Sequence, residues 1–265
     1  MNILRNMGQY GVLELTLNRP EVHNAFDAEL IASLTDSLLD AEQDPSVRMV
    51  VLTGSGSSFS AGADLNWMRA MAKSSEQENQ QDALRMAKLM RTLNYLDRPT
   101  IALVNGPAFG GGLGLIACCD ISIAVETAQF GFTESTLGLV PAVISPYVFR
   151  RIGETNARRY FMTGERFSAR KAKEIGLVQD LVAADLIDDA LDSIISQLLR
   201  AAPGAALASK KLVNAVAGHD EEQQKIQDEY TAGLIARMRV SSEGQEGLNA
   251  FLEKRDPGWL ETEDE

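Results

Sequence analysis

Two stretches, Ser60-Ala-Gly-Ala-Asp64 and Ala108-Phe-Gly-Gly-Gly-Leu-Gly114, decide how this chain is read. Each follows a β-branched apolar run that reads as a buried strand, and each puts glycine where a backbone amide must approach something closely. Two exposed N–H groups converging on one oxygen form an oxyanion hole, which stabilises negative charge developing on a carbonyl. A candidate acid/base, Glu134, follows within Gln129-Phe-Gly-Phe-Thr-Glu134. The three segments together point to chemistry through a thioester enolate.

Outward from these stretches the chain alternates between strand and helix patterns. Gly11 to Leu17 alternates as a strand, and Asn18-Arg-Pro20 stops it. From Asp27, the residues Leu30, Ile31, Leu34 and Leu38 share one helical face, which Asp44-Pro45 closes. Met49 to Leu52 is a short buried strand running into the loop Thr53 to Ser58. Leu65 to Leu96 is helical in character, with a polar middle, Lys73 to Asp82, expected as an exposed loop or lid. Ile101 to Val104 and Ile121 to Val125 are strands separated by a glycine-opened helix. This order is an α/β pattern.

After about residue 185 no strand-like run appears. Ile187, Leu191, Ile194, Ile195 and Leu198 mark one amphipathic helix, Ser209 to Ala217 a second, and Ile226, Tyr230, Leu234 and Met238 a third. The expected organisation is therefore an α/β core over 1–190 and a helical region over 191–265, whose apolar stripes suit packing against another subunit. Low complexity is confined to the acidic tail, Glu261 to Glu265.

A chain of 265 residues can bury a substantial core, and its hydrophobic fraction of 45% and charged fraction of 23% are ordinary for a soluble globular protein. The net charge of −12 argues against a general nucleic-acid surface, which needs basic residues to meet phosphates. Cys118 and Cys119 are adjacent and have no other cysteine to pair with, so they read as small core residues with no redox or metal role. Met1 to Arg5 lacks the apolar stretch of a secretion signal. The most apolar region, Ile101 to Val125, is broken by Asn105, Pro107, five glycines and Asp120, which makes a poor membrane span. A reduced, cytoplasmic setting is the expectation.

Ser60-Ala-Gly-Ala-Asp-Leu65, Gly110 to Gly114 through Cys118-Cys-Asp120, and Phe130-Gly-Phe-Thr-Glu134 resemble the signature blocks of the enoyl-CoA hydratase/isomerase (crotonase) family. Leu17-Asn-Arg-Pro20 and Phe251-Leu-Glu-Lys-Arg255 do so as well, so five blocks lie in family order across nearly the whole chain. The resemblance implies a spiral of ββα turns with a C-terminal helical region used in trimerisation, a homotrimer or dimer of trimers, an acyl-CoA substrate, and no metal or redox cofactor. By motif position it implies oxyanion donors at the backbone N–H groups of Ala63 and Gly111, and an acid/base at Glu134. It also implies substrate contacts from Val22, His23, Ala61, Asp64, Leu65 and Lys254. A dinucleotide site is the weaker reading of the glycines, because Gly110 to Gly114 does not complete G-x-G-x-x-G.

The chain departs from the family pattern at Gly114, where typical hydratases carry a second glutamate. On that feature a Δ3,Δ2-enoyl-CoA isomerase using one glutamate is attractive. The finer pattern is similar instead to bacterial hydratases of 3-branched glutaconyl-CoA esters, with a methyl or isohexenyl branch, from leucine or acyclic terpene breakdown. It rests on Ser60 to Met68, Gly138 to Pro146, Ala157-Arg-Arg-Tyr160 and Glu243 to Leu248. That branch is the expectation here, with a single carboxylate serving both proton transfers. A non-catalytic acyl-CoA-binding protein is the alternative from another class, and the retained Glu134 argues against it.

Glu21 stands where relatives often place a phosphate-binding lysine, leaving His23, Lys254 and Arg255 as candidate cations for the CoA end, the last two from a neighbouring subunit. A glutaconyl group also has a distal carboxylate, for which Arg150, Arg151, Arg158 and Arg159 are candidates. Ion pairing with Glu154 or other acids is expected to occupy at least three of them. Trp67, Met68 and Met71 read as acyl-pocket wall or as core, and Asp64 and Asp120 as structural caps as readily as catalytic groups.

Overall fold

The computed structural model describes residues 1–260; the acidic tail from Glu261 lies outside the described residues. Strands β1 (Ile3–Met7) and β2 (Val12–Leu17) form an antiparallel hairpin, and Leu13, Leu15 and Leu17 of β2 point inward while alternate residues face outward. The first strand has a single buried residue, Ile3, and its exposed Asn6 and Met7 hide it from a periodicity argument. Helix α1 (Ala28–Gln43) starts where expected, because the Asp27 carboxylate accepts the Leu30 N–H and satisfies one of the orphan amides of the first turn.

The remaining strands of the main sheet are β3 (Met49–Gly54), β4 (Thr100–Val104), β6 (Ile121–Val125) and β9 (Asp180–Val182), giving the order β1-β2-β3-β4-β6-β9. From β2 onward every pairing in this sheet is parallel, which requires helical crossovers and buries the central strands on both faces. All five residues of β4 are buried, and this is why its sequence is a continuous apolar run. A second, three-stranded sheet joins β5 (Ala108–Phe109), β7 (Gln129–Gly131) and β8 (Arg166–Ser168). Isolated bridges, Phe26 to Ala63 and Ser60 to Ala108, continue this second layer back through earlier turns. Each turn of the chain thus adds one strand to the main sheet, one extended segment to the second layer, and then a helix: this is a spiral of ββα units.

The helices that close these turns are α2 (Leu65–Lys73), α3 (Glu76–Tyr95), α4 (Gly111–Cys118), α5 (Ser145–Thr163) and α6 (Ala169–Glu174). One large core lies between α1, α3, α4, α5 and one face of the main sheet. The opposite face is covered by α7 (Ile187–Arg200), whose Leu191, Ile194, Ile195 and Leu198 meet Val51, Ile101, Leu103 and Ile123. Helix α7 runs unbroken through position 190. Helices α8 (Pro203–Val216), α9 (Glu221–Val240) and α10 (Ser242–Glu253) complete the chain. No helix among the described residues is long and apolar enough to cross a membrane.

The polar stretch Lys73 to Asp82 corrects one expectation, for it is neither a loop nor a lid. Only Ser74 and Ser75 interrupt the helices. Ser75 caps α3 with Glu78 in a reciprocal capping box, and the Asn79 side-chain amide donates to Met71, Ser74 and Ser75 carbonyls, stitching α2 to α3. Asn79 and Asp82 are both buried. The polarity belongs to an internal network and not to a solvated surface.

Candidate active site

The cavity that receives the two opening motifs has a volume of about 560 Å³ and a mostly apolar wall. Its floor is set by two turns held back to back. Gly62 has φ +87° and Gly110 φ +49°, left-handed conformations that favour glycine, and a Cβ added at Gly62 would lie 3.9 Å from the Gly110 Cα. The Phe26 N–H donates to the Gly62 carbonyl and the Asp64 N–H to the Phe26 carbonyl, which leaves the Ala63 amide between them turned away from that ladder. Gly111 opens α4, so its N–H is one of the helix's unpaired amides. Neither the Ala63 nor the Gly111 N–H meets an acceptor among the described residues, and both residues line the cavity. The start of α4 adds the positive end of a helix dipole to the same place.

Glu134 enters from a 3-10 turn, Thr133–Leu137. A Cβ at Gly110 would sit 3.0 Å from its Oε1, so the carboxylate lies directly against the glycine turn. Its Oε2 is buried with no hydrogen-bond partner. Burial penalises the charged form and outweighs the opposing help of Glu134's own backbone N–H, pushing the carboxyl from the ordinary range up to about 7. Two further carboxylates line the cavity. Asp64 is occupied: it caps α2 through the Asn66 and Trp67 amides and pairs with Arg19 at 3.1 Å. Glu21 is exposed at the mouth. Among the described lining residues Glu134 is thus the carboxylate placed to exchange protons.

At Gly114 the structure supplies a steric reason for the missing glutamate. A Cβ there would stand 2.4 Å from Ile144 Cγ2 and 3.0 Å from Met90 Cε. Ile144 is buried and belongs to the Pro141-Ala-Val-Ile144 segment that walls the cavity. The space a second carboxylate would need is filled with hydrocarbon.

Val22, His23, Ala61 and Leu65 line the mouth of the cavity together with Asp64. The His23 Nδ1 lies 3.0 Å from Ser58 Oγ. Lys254 is not brought to the cavity of its own chain: it is an exposed, left-handed cap at the end of α10, while Phe251 from that helix does line the cavity. Arg255 is held at 2.6 Å by Glu246. Trp67, Met68 and Met71 all reach the wall, joined by Phe26, Met86 and Ile235, which sequence reasoning did not single out. Asp120 holds Thr100 and Lys210 and lies outside the cavity.

The four arginines considered for a distal carboxylate are elsewhere. Arg158 pairs with Glu154, Arg159 with Glu165 at 2.6 Å, Arg151 donates to the Ala117 and Cys119 carbonyls, and Arg150 donates to Gln224 Oε1 at 2.8 Å. Two are therefore ion-paired with acids and two bind carbonyl oxygens, and none lines this cavity. The largely covered cation that does so is Arg239 of α9, which no motif marks.

Comparison with known proteins extends this geometry over the whole chain. The family model for enoyl-CoA hydratase/isomerase matches residues 7–262. The chain belongs to the enoyl-CoA hydratase/isomerase family. A solved enoyl-CoA hydratase from Shewanella pealeana is 43% identical with a TM-score of 0.80, over 98% of this chain and 96% of that one. Another from Mycobacterium avium is 35% identical with a TM-score of 0.86, over 98% and 99%. A 2,3-dehydroadipyl-CoA hydratase of Escherichia coli K12 is 34% identical over 94% of this chain and 95% of its own length. The α/β spiral with its helical C-terminal region is thus the crotonase fold, and the chain is an enzyme of the enoyl-CoA hydratase type with acyl-CoA thioesters as its substrate class.

Proposed function

We propose that this enzyme adds water reversibly across the double bond of a 3-branched glutaconyl-CoA, with Glu134 as its single acid/base and the Ala63 and Gly111 amides as oxyanion donors. The observation that carries this reading is Glu134 itself, a buried carboxyl with Oε2 unpartnered, pushed up to about 7 beside two unengaged backbone amides. A pKa there lets one group act as base and then as acid near neutrality. Glu134 takes a proton from water as the water oxygen bonds to C3. The alkene electron pair moves through C2 onto the thioester oxygen, where the two N–H groups hold the charge, and the charge returns as Glu134 delivers the proton to C2. Only water and the thioester are consumed. Losing one oxyanion donor typically costs about 3–4 kcal/mol of transition-state stabilisation.

The glutaconyl assignment rests on the sequence blocks given above. It is supported by the E. coli relative, named as a hydratase of a dehydroadipyl thioester, whose acyl group also ends in a carboxylate. Glu134→Gln should keep the fold and CoA binding while abolishing hydration of 3-methylglutaconyl-CoA; near-normal turnover by that variant sinks the mechanism.

One observation favours a second reading. With the Gly114 position filled by Ile144, a lone carboxylate could instead move a proton from C2 to C4 of a 3-enoyl-CoA. Product mass separates the two, since hydration adds a water and isomerisation adds nothing.

A further inference from the structure

We propose that Arg239, with the indole N–H of Trp67 beside it, anchors the distal carboxylate of the acyl group. This deepens the glutaconyl reading and rests on it. Both residues line the cavity that contains Glu134, and the wall around them is apolar, with Met71, Ala83 and Ile235. The Arg239 side chain is only 14% exposed. It engages its neighbours through Nη1 alone, donating to Asn79 Oδ1 at 3.3 Å and to Asp82 Oδ2 at 3.5 Å. Its Nε and Nη2 donate to no acceptor among the described residues, so the fork that suits a carboxylate is left open. Trp67 Nε1 is buried and makes no close hydrogen bond, and it faces the Asp82 carboxylate that Arg239 also meets. The Arg239 Cζ lies over the Trp67 ring, 5.6 Å from its centroid, a cation–π contact that keeps the two side chains together.

The charge balance permits this role. Asp82 is shared at 3.5 Å with Arg85 as well, so two guanidinium groups face one carboxylate, loosely held. The wall's other arginine, Arg69, is exposed and donates to Asn66 at 3.0 Å. A neutral acyl tail seated here would cover the Arg239 Nε and Nη2 donors without meeting them, whereas a carboxylate satisfies them; a site of that kind discriminates by the cost of donors cut off from water without a partner.

The test compares 3-methylglutaconyl-CoA with its distal methyl ester as substrates, and glutaryl-CoA with butyryl-CoA as unreactive ligands. Wild type, Arg239→Met, and the charge-balanced pair Arg239→Met with Asp82→Asn are assayed together. Arg239→Met is expected to lose about 10- to 100-fold in kcat/KM on the acid and less than about threefold on the ester. Binding of glutaryl-CoA should weaken by a similar factor and that of butyryl-CoA should not. Equal loss on acid and ester in the charge-balanced pair makes Arg239 a structural residue and overturns the proposal, as does undiminished hydration of the acid. In the latter case the glutaconyl reading survives. Conversely, a wild type that hydrates only the ester yet binds glutaryl-CoA through Arg239 overturns the substrate reading and upholds the anchor.

Discussion

Glu134 is where a single group's environment becomes activity. Its raised pKa means that the base form is populated only above about 7, so kcat/KM for hydration should rise with pH through an apparent pKa of about 7. The same shift has an opposite consequence for stability. Folding favours the protonated carboxyl, so this contribution is full below the unfolded value near 4.5 and is lost as pH rises towards about 7. Glu134→Gln, neutral at every pH, should therefore gain up to about 3 kcal/mol over wild type at pH 8 and almost nothing at pH 4. Chemical denaturation at the two pH values checks this, and a constant difference between them would contradict it. Gly114 is the second residue that matters singly. Gly114→Ala should cost about 1–3 kcal/mol through overpacking against Ile144, and Ile144→Ala in the same chain should return part of it. Gly114→Glu should not create a second base, since its side chain has no room beside Ile144 and Met90.

At the scale of elements, α10 acts as a buttress for the turn that carries Glu134. A Cβ on Gly247 would lie 2.3 Å from the Leu137 carbonyl oxygen, and one on Gly138 would lie 2.3 Å from the Glu243 carbonyl oxygen. The helix and the turn are thus in backbone contact. Gly247→Ala should displace the Thr133–Leu137 turn and lower kcat by at least about tenfold, out of proportion to its effect on CoA binding, because small misplacements of a catalytic group are costly. Steady-state kinetics with a separate CoA-binding measurement test this, and a loss confined to binding would refute it. The Glu243 to Leu248 block was visible in sequence, but its partner was not, because glycine spacing does not say what backbone approaches it. Lys73 to Asp82 shows the complementary failure. Its polarity reads as exposure, yet Asn79 and Asp82 sit in a buried network whose partner, Arg239, lies 157 positions beyond Asp82.

For the whole molecule, α8 and α9 present apolar side chains to solvent. Helix α9 packs on α3, with Ala232 and Ile235 in the cluster that holds Ala83 and Leu84, and leaves Ile226 at 73% and Tyr230 at 68% exposure. Leu212, Val213 and Val216 of α8 are exposed as well. We propose a second and third copy of this chain as the cover, the arrangement the family resemblance implies. Light scattering of the purified protein should give a trimer or a dimer of trimers. Ile226→Glu together with Val216→Glu should lower the oligomeric state while α1 to α7 remain folded, and an unchanged mass would place the interface elsewhere.

The sequence by itself determined strands β2, β3, β4 and β6, helices α1, α4 and α7 to α9, and the motif segments that meet at the cavity. Short-range signals carry those: period-2 and continuous apolar runs, the Asp27 cap, and glycines placed for close approach. The crotonase architecture came from the family resemblance those motifs carry, while β1, the short strands of the second layer and the helical course of Lys73 to Asp82 were not legible. The sequence also located Glu134 and the glycine-flanked amides, since each lies inside a local motif. Tertiary structure decided the rest. Burial of Glu134, the filling of the Gly114 position by Ile144, the dispersal of four neighbouring arginines onto other partners, and the arrival of Arg239 at the cavity all depend on contacts between distant segments. A side chain's charge is written in the sequence, but its partner and its desolvation are properties of the packed chain.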